Sequence, residues 1–134
     1  MKPFILDSSM TTMAGVFYPT GHAVLMFPGK DETKRAGKAL IEAGVAEDDI
    51  SVMAPEVIMG DVARTVGSAD IPMPSVGTEA DTVRQMTHLA AQGHWGLLVH
   101  APHQKDGDLV MNALKGHAPS FAQKYRQLVI EDMG

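Results

Sequence analysis

Two short apolar runs constrain the fold of this chain more than any other feature of its sequence. Residues 22–27 read HAVLMF and stop at Pro28-Gly29, and residues 94–99 read HWGLLV and stop shortly before Pro102. A short run of this kind, apolar at successive positions and bounded by turn residues, is typical of a strand buried on both faces of a sheet. The two runs therefore predict two central strands of one sheet.

Each run opens a strand–helix–strand unit. After the first run, Asp31 is a predicted helix N-cap, a stripe of alanine and leucine follows, and Gly44 suits the end of that helix. Residues 50–54 then alternate in polarity, as a half-buried strand does. Residues 22–54 are therefore predicted to form a first βαβ unit.

The second unit, residues 94–131, has the same plan. Asp106 or Asp108 is a predicted cap for a helix that ends near Gly116, and residues 125–130 predict a mixed polar and apolar strand. Two such units in one sheet predict an α+β ferredoxin-like sandwich with strand order 4-1-3-2, in which the two apolar strands are central. A doubly wound parallel sheet is the alternative, but it favours a glycine-rich turn after the first strand, which this sequence lacks.

All 134 residues are expected to form a single domain. Residues 1–20 have no hydrophobic period and predict an irregular N-terminal arm, which ends in the turn residues Tyr18-Pro19-Thr20-Gly21. Residues 55–93 predict a helical linker between the two βαβ units, with one helix starting at Pro55 and a second helix after a loop at residues 67–77.

Composition limits the partners of the chain. The net charge of −5 argues against binding to nucleic-acid backbones, which relies on clustered lysine and arginine. No apolar stretch is long enough for a signal peptide or a membrane span, so we expect a cytoplasmic protein with no membrane partner. The absence of cysteine excludes disulfides and thiol chemistry.

The predicted sheet raises the question of what covers its second face. Two βαβ helices cover one face, yet the strand at residues 22–27 is apolar on both. Either the helices of residues 55–93 fold over the second face, or a second copy of the chain packs there. The sequence favours self-association as a homodimer, because exposed sheet surfaces and edges promote pairing between chains.

Three residues are candidates for a ligand-binding site. His100 and His103 follow a central strand at its carboxyl end, where ligand sites of α/β proteins tend to form. Lys30 follows Pro28-Gly29 at a predicted helix start, a setting that suits an anion, although Asp31 and Glu32 oppose one. The alternative is that the two histidines are solvated loop residues and that Lys30 belongs to an ordinary strand-to-helix connection.

No residue pattern specifies a reaction. Metal sites need three or four ligands, and only His100 and His103 are close in sequence, with Asp106 or Asp108 as conceivable additions, so no metal and no cofactor are predicted. The serines lack a nucleophile-elbow setting. We therefore predict a non-catalytic module that binds a small ligand or a partner protein. The alternative is a metal- or haem-dependent enzyme of the dimeric α/β-barrel type that uses His100 and His103.

Some local phrases are similar to a known group of proteins. Ala43-Gly44-Val45, the stretch DDISV at residues 48–52 and the stretch GLLVHA at residues 96–101 resemble small bacterial general-stress proteins of the heat-induced type. The resemblance covers residues 22–54 and 93–131. It implies a compact cytoplasmic α+β domain with a stress-related role, and it implies no catalytic residues.

Overall fold

The computed structural model describes residues 1–12, 15–66, 77–126 and 130–133. These residues form an α+β structure with a mixed sheet and four α-helices. In chain order the elements are β1 (Lys2–Pro3), β2 (His22–Phe27), α1 (Lys30–Glu42), β3 (Ile50–Met53), α2 (Pro55–Val57), α3 (Gly77–Ala91), β4 (Trp95–His100), α4 (Gln104–Ala113), β5 (Phe121–Tyr125) and β6 (Ile130–Asp132). Short 3-10 turns lie at Ser8–Met10 and Glu47–Asp49, and one π-helical turn follows α2 at Ile58–Val62.

The sheet has the strand order β1-β3-β4-β2-β5-β6. The short edge strand β1 runs parallel to β3, and every other neighbouring pair is antiparallel. The two apolar runs pair directly with each other as β2 and β4, as the sequence predicts. The observed sheet has six strands rather than the four of the predicted order 4-1-3-2, because β1 and β6 extend the sheet at its two edges.

The predicted fourth strand, residues 125–130, is misplaced. Strand β5 ends at Tyr125, the first residue of the predicted strand. Strand β6 starts at Ile130, the last residue of the predicted strand, and runs antiparallel to β5. Residues 127–129 lie outside the described residues. The sequence hides β5 because a lysine lies near its middle. Lys124 is only 4% exposed, and its Nζ donates a hydrogen bond to the backbone oxygen of His103, 2.6 Å away.

Two helix starts also differ from the prediction. Helix α1 has Gly29 rather than Asp31 at its N-cap, and α4 has His103 there rather than an aspartate. The carboxylate of Asp106 still serves that end of α4, because it accepts a hydrogen bond from the backbone N–H of His103 at 2.9 Å. Residues 67–76 of the predicted loop lie outside the described residues.

One face of the sheet is covered by α1 and α4, as the two βαβ units predict. Side chains at every second position of β2 and β4 point to this face and pack against Leu40 of α1 and Val110 of α4, and all of them are buried. The strand residues on this face are Leu25, Phe27, Leu97 and Val99. This layer is mainly aliphatic.

The opposite face is covered by the chain itself. One buried cluster lies on this face. It joins Val24, Met26 and Leu98 of the sheet to Ile58 and Val62 of the π-helical turn, to Met86 of α3, and to residues of the N-terminal segment. Aromatic rings of this segment and of β5 meet edge to face, with ring-centre distances of 5.2–6.2 Å, for Phe4, Phe17, Tyr18 and Tyr125. The open face on which the predicted homodimer depends is therefore already buried. The N-terminal arm is part of the core.

The described helices include none with the length and apolar character needed to span a membrane.

Candidate functional site

The turn that precedes β2 sets up the site. The sequence predicts this turn, and Gly21 adopts a φ of 79°, a left-handed conformation that glycine reaches without a steric penalty. The N–H of Gly21 donates to the oxygen of Tyr125 at 2.8 Å, and its own oxygen accepts from the N–H of Ala101 at 2.8 Å. Gly21 thus joins β2 to both neighbouring strands immediately before His22.

Antiparallel pairing then places His22 beside His100. The two residues are direct partners in the β2–β4 register, and their ring centres lie 5.0 Å apart with the ring planes tilted by 56°. Both side chains leave the sheet on the face of Val24 and Leu98, because side chains alternate along a strand. The pair lies at the end of the face that the N-terminal segment covers.

Each imidazole has an oxygen atom close to its Nδ1. Nδ1 of His22 lies 3.0 Å from the backbone oxygen of Thr20. A carbonyl oxygen only accepts hydrogen bonds, so Nδ1 carries the proton and the neutral ring keeps a lone pair on Nε2. Nδ1 of His100 lies 3.8 Å from Oδ1 of Asp49, and both side chains are about half exposed.

The position of Asp49 follows from the next pair of strands. Ile50 of β3 is paired with Val99 of β4, so the residue before Ile50 faces the residue after Val99. A single 3-10 turn at Glu47–Asp49 brings Asp49 to that point.

The histidine pair lines a cleft of about 350 Å³. Buried Ser51 and Leu98 contribute to its lining from the sheet. The turn before β3 and the N-terminal segment supply the remaining lining residues: Asp48, Asp49, Lys2, Pro3, Ile5, Asp7 and Met10. We refer to this space as the histidine cleft.

The histidine cleft carries an excess of negative charge. Among the described residues, three carboxylates line it, from Asp7, Asp48 and Asp49, against one ammonium, from Lys2. Hydrogen bonds from the hydroxyl and N–H of Ser9 lower the pKa of Asp7, and the nearby His22 lowers it further. Asp7 is therefore ionised over the whole neutral range.

His22 itself is held in its neutral form. Burial lowers the pKa of His22 below the usual 6.5, and the neighbouring His100 lowers it further, while hydrogen bonding to Thr20 and the charge of Asp49 act in the opposite direction. At pH 7 the ring is thus an acceptor through Nε2.

The structure separates the three site residues that the sequence predicts. His100 lines the histidine cleft. His103 is not among the described residues that line it, since it caps α4, and its backbone oxygen holds the ammonium of Lys124. His100 and His103, although close in sequence, do not both line the histidine cleft.

Lys30 lies at the other end of β2. Its Nζ is 5.4 Å from the centre of the Trp95 ring, in a cation–π contact. The Glu32 carboxylate lies beside Gly29, so close that a Cβ at Gly29 would be 3.0 Å from it. The Glu32 carboxylate therefore lies at the helix start that suited an anion in the sequence.

Sequence reasoning alone does not select His22 and Asp49 as site residues. A usable signal was present for His22, because it begins one predicted central strand while His100 follows the other. In an antiparallel pair those two ends meet. No local pattern reveals Asp49, since its position depends on the register between β3 and β4.

Within the described ranges, no group of three or more His, Cys, Asp or Glu residues is arranged to hold a metal ion. No protein-family model, curated protein or solved structure matches this chain.

Proposed function

We propose that this chain is a non-enzymatic binding module that holds a small, positively charged ligand in the histidine cleft. The observation that carries this proposal is the composition of the cleft, in which three carboxylates and a neutral imidazole face one ammonium group. A ligand with ammonium groups would donate hydrogen bonds to these acceptors and offset their charge.

The dimensions of the cleft support a ligand of few atoms. Its volume of about 350 Å³ is near the lower limit for small-molecule sites, which span roughly 300–1,000 Å³. The half-exposed side chains of His100 and Asp49 leave the charges partly screened by water. We therefore expect modest affinity and a clear dependence on salt.

The strand arrangement supports a ferredoxin-like core inside the larger sheet. The neighbours β3-β4-β2-β5 follow the order expected of two interleaved βαβ units, and α1 and α4 both pack on one face. The resemblance to bacterial general-stress proteins supports a stress-related, cytoplasmic role. Self-association is not part of the proposal, because the chain buries its own second sheet face. The rival function, an enzyme that uses His100 and His103, has less support, because the histidine cleft is lined by His100 and not by His103.

A matched series of probes tests the charge preference. Diaminobutane, butanediol and succinate share a four-carbon chain and differ in charge. We expect that, in metal-free buffer with a chelator near pH 7.5, only diaminobutane shifts the amide resonances of His22, Asp49 and His100 in a saturable way. Equal shifts from butanediol and succinate, or no shift from any of the three, would contradict the proposal.

A pair of charge variants locates the site. Asp49→Asn removes one carboxylate from the cleft, and at an effective dielectric constant near 20 this loss is expected to weaken diaminobutane binding about fivefold or more. Asp81→Asn makes the same change on α3, where Asp81 pairs with Arg84 away from the cleft, and should leave the affinity unchanged. Equal effects of the two variants would show that only the overall charge matters.

A further inference from the structure

We propose that His22 and His100 together bind a divalent transition-metal ion, such as Zn²⁺ or Ni²⁺, through their Nε2 atoms. This inference rests on the proposed function, because it names one class of cation for the same cleft. The protein would supply only these two imidazole ligands, fewer than the three or four of structural and catalytic metal sites, and water in the cleft would fill the remaining coordination positions. Imidazole is a favoured ligand for zinc, copper and nickel.

The spacing of the two rings fits one shared ion. Their centres lie 5.0 Å apart on directly paired residues of the two central strands. Two imidazoles that bind one ion with metal–nitrogen distances of about 2.0–2.1 Å place their ring centres roughly 5 Å apart at a tetrahedral angle. The separation of the two ring centres is therefore compatible with one shared ion.

The hydrogen bonding of His22 is that of a metal-binding histidine. Such residues usually donate the proton of their other ring nitrogen to a carbonyl or carboxylate oxygen, which orients the ring and raises the basicity of the ligand atom. Nδ1 of His22 has the Thr20 oxygen within hydrogen-bond distance at 3.0 Å, whereas Oδ1 of Asp49 lies 3.8 Å from Nδ1 of His100, an ion-pair distance too long for a hydrogen bond. Nε2 of His22 is then left for a ligand, and Nε2 of His100 is the ring nitrogen that does not face Asp49.

The charge of the cleft favours a dication. Asp7, Asp48 and Asp49 outnumber Lys2 around the two rings. A metal ion would bring its positive charge to these carboxylates without requiring any of them as a third direct ligand.

Titration of the tag-free full chain with Zn²⁺ or Ni²⁺ alone tests the inference. We expect one ion per chain by calorimetry, together with large shifts of the ring resonances of His22 and His100. The His22→Gln, His100→Gln double variant should weaken binding by more than the roughly tenfold that loss of a single outer-shell partner costs. The matched control, His88→Gln with His103→Gln, removes two exposed imidazoles outside the cleft and should bind as the unmodified chain does.

Several outcomes would overturn the inference. One is equal loss of binding in both double variants, and another is metal-induced shifts on histidines other than His22 and His100. The ring-nitrogen spectrum of the unmodified protein gives the same answer without any variant, because binding must change the Nε2 resonances of both residues. If diaminobutane binds and the metals do not, only the metal site is wrong. If neither binds, the proposed function is wrong as well.

Discussion

The two ends of the β2–β4 pair differ sharply although they belong to the same pair of strands. At one end Phe27 faces Trp95, Phe27 is 1% exposed, and Lys30 lies over the Trp95 ring. At the other end His22 faces His100 beside an open cleft. The first end is closed by the chain turning into α1, while the second is reached through a tight turn from the N-terminal segment.

This difference shows how one strand pair can serve two purposes. The closed end and the middle of the strands bury apolar side chains on both faces, which is where the hydrophobic free energy is gained. The open end buries less apolar surface, so polar side chains there lower the free energy of unfolding only slightly. Each of the following predictions tests that division.

The largest effect is expected at the closed end. Phe27→Ala should lower the free energy of unfolding by about 3–5 kcal/mol, because it leaves a cavity among buried aliphatic side chains. His22→Ala at the open end should cost about 1 kcal/mol or less, since it removes a partly exposed side chain. Urea denaturation of both variants measures the two losses. Losses of similar size would mean that the two ends do not differ in this way.

An intermediate effect is expected at Gly21. Gly21→Ala should cost about 1–2 kcal/mol, because a side chain disfavours the left-handed backbone found there. Gly21→Asn is the matched variant, since asparagine enters this conformation more readily, and it should cost less than alanine. Thermal or urea unfolding distinguishes them. A Gly21→Ala protein with unchanged stability would show that the turn tolerates other conformations.

The smallest effect concerns the pH dependence of the open end. Burial keeps the folded-state pKa of His22 below 6.5, so the unfolded chain binds a proton more readily. In metal-free protein the free energy of unfolding should therefore fall as the pH drops from neutral through 6.5. Asp7, Asp49 and His100 act on or are acted on by the charge of His22, and the described lining of the same cleft also carries Asp48 and Lys2.

Two measurements check this dependence. A proton NMR titration should place the pKa of His22 below 6.5, and His100→Gln should raise it, because a neighbour that disfavours the charged ring is gone. His22→Gln should remove this contribution to the pH dependence of unfolding. A His22 resonance that titrates above 6.5 would contradict the expected burial effect.

Much of the fold follows from local sequence patterns, and the deviations have identifiable causes. Strands β2 and β4 are predictable because they are apolar on both faces, and α1 is predictable from its stripe. Strand β5 is not, because Lys124 reads as a surface residue until its hydrogen bond to His103 is known. Phe4 and Phe17 are buried in a cluster whose other members come from distant parts of the chain, including Tyr125 of β5, and no local period reports such packing.

The site was only partly predictable for a related reason. His100 is recognisable from its place after a central strand. Its partners come from the β2–β4 and β3–β4 registers, and a register is a relation between distant segments rather than a local pattern. Lys30 and His103 are locally plausible, but neither lines the histidine cleft.

The backbone hydrogen bonds of Gly21 also bear on the register between β2 and β4. Because side chains alternate along a strand, a slip of one residue between β2 and β4 would put Ala23 opposite His100 and turn the imidazole of residue 22 away. The two hydrogen bonds of Gly21 oppose such a slip. A residue with no side chain thus adds to the six residue pairs and the buried apolar side chains that keep the two imidazoles together. Two histidines placed on neighbouring strands without these two hydrogen bonds would have the same chemistry but a less constrained strand register.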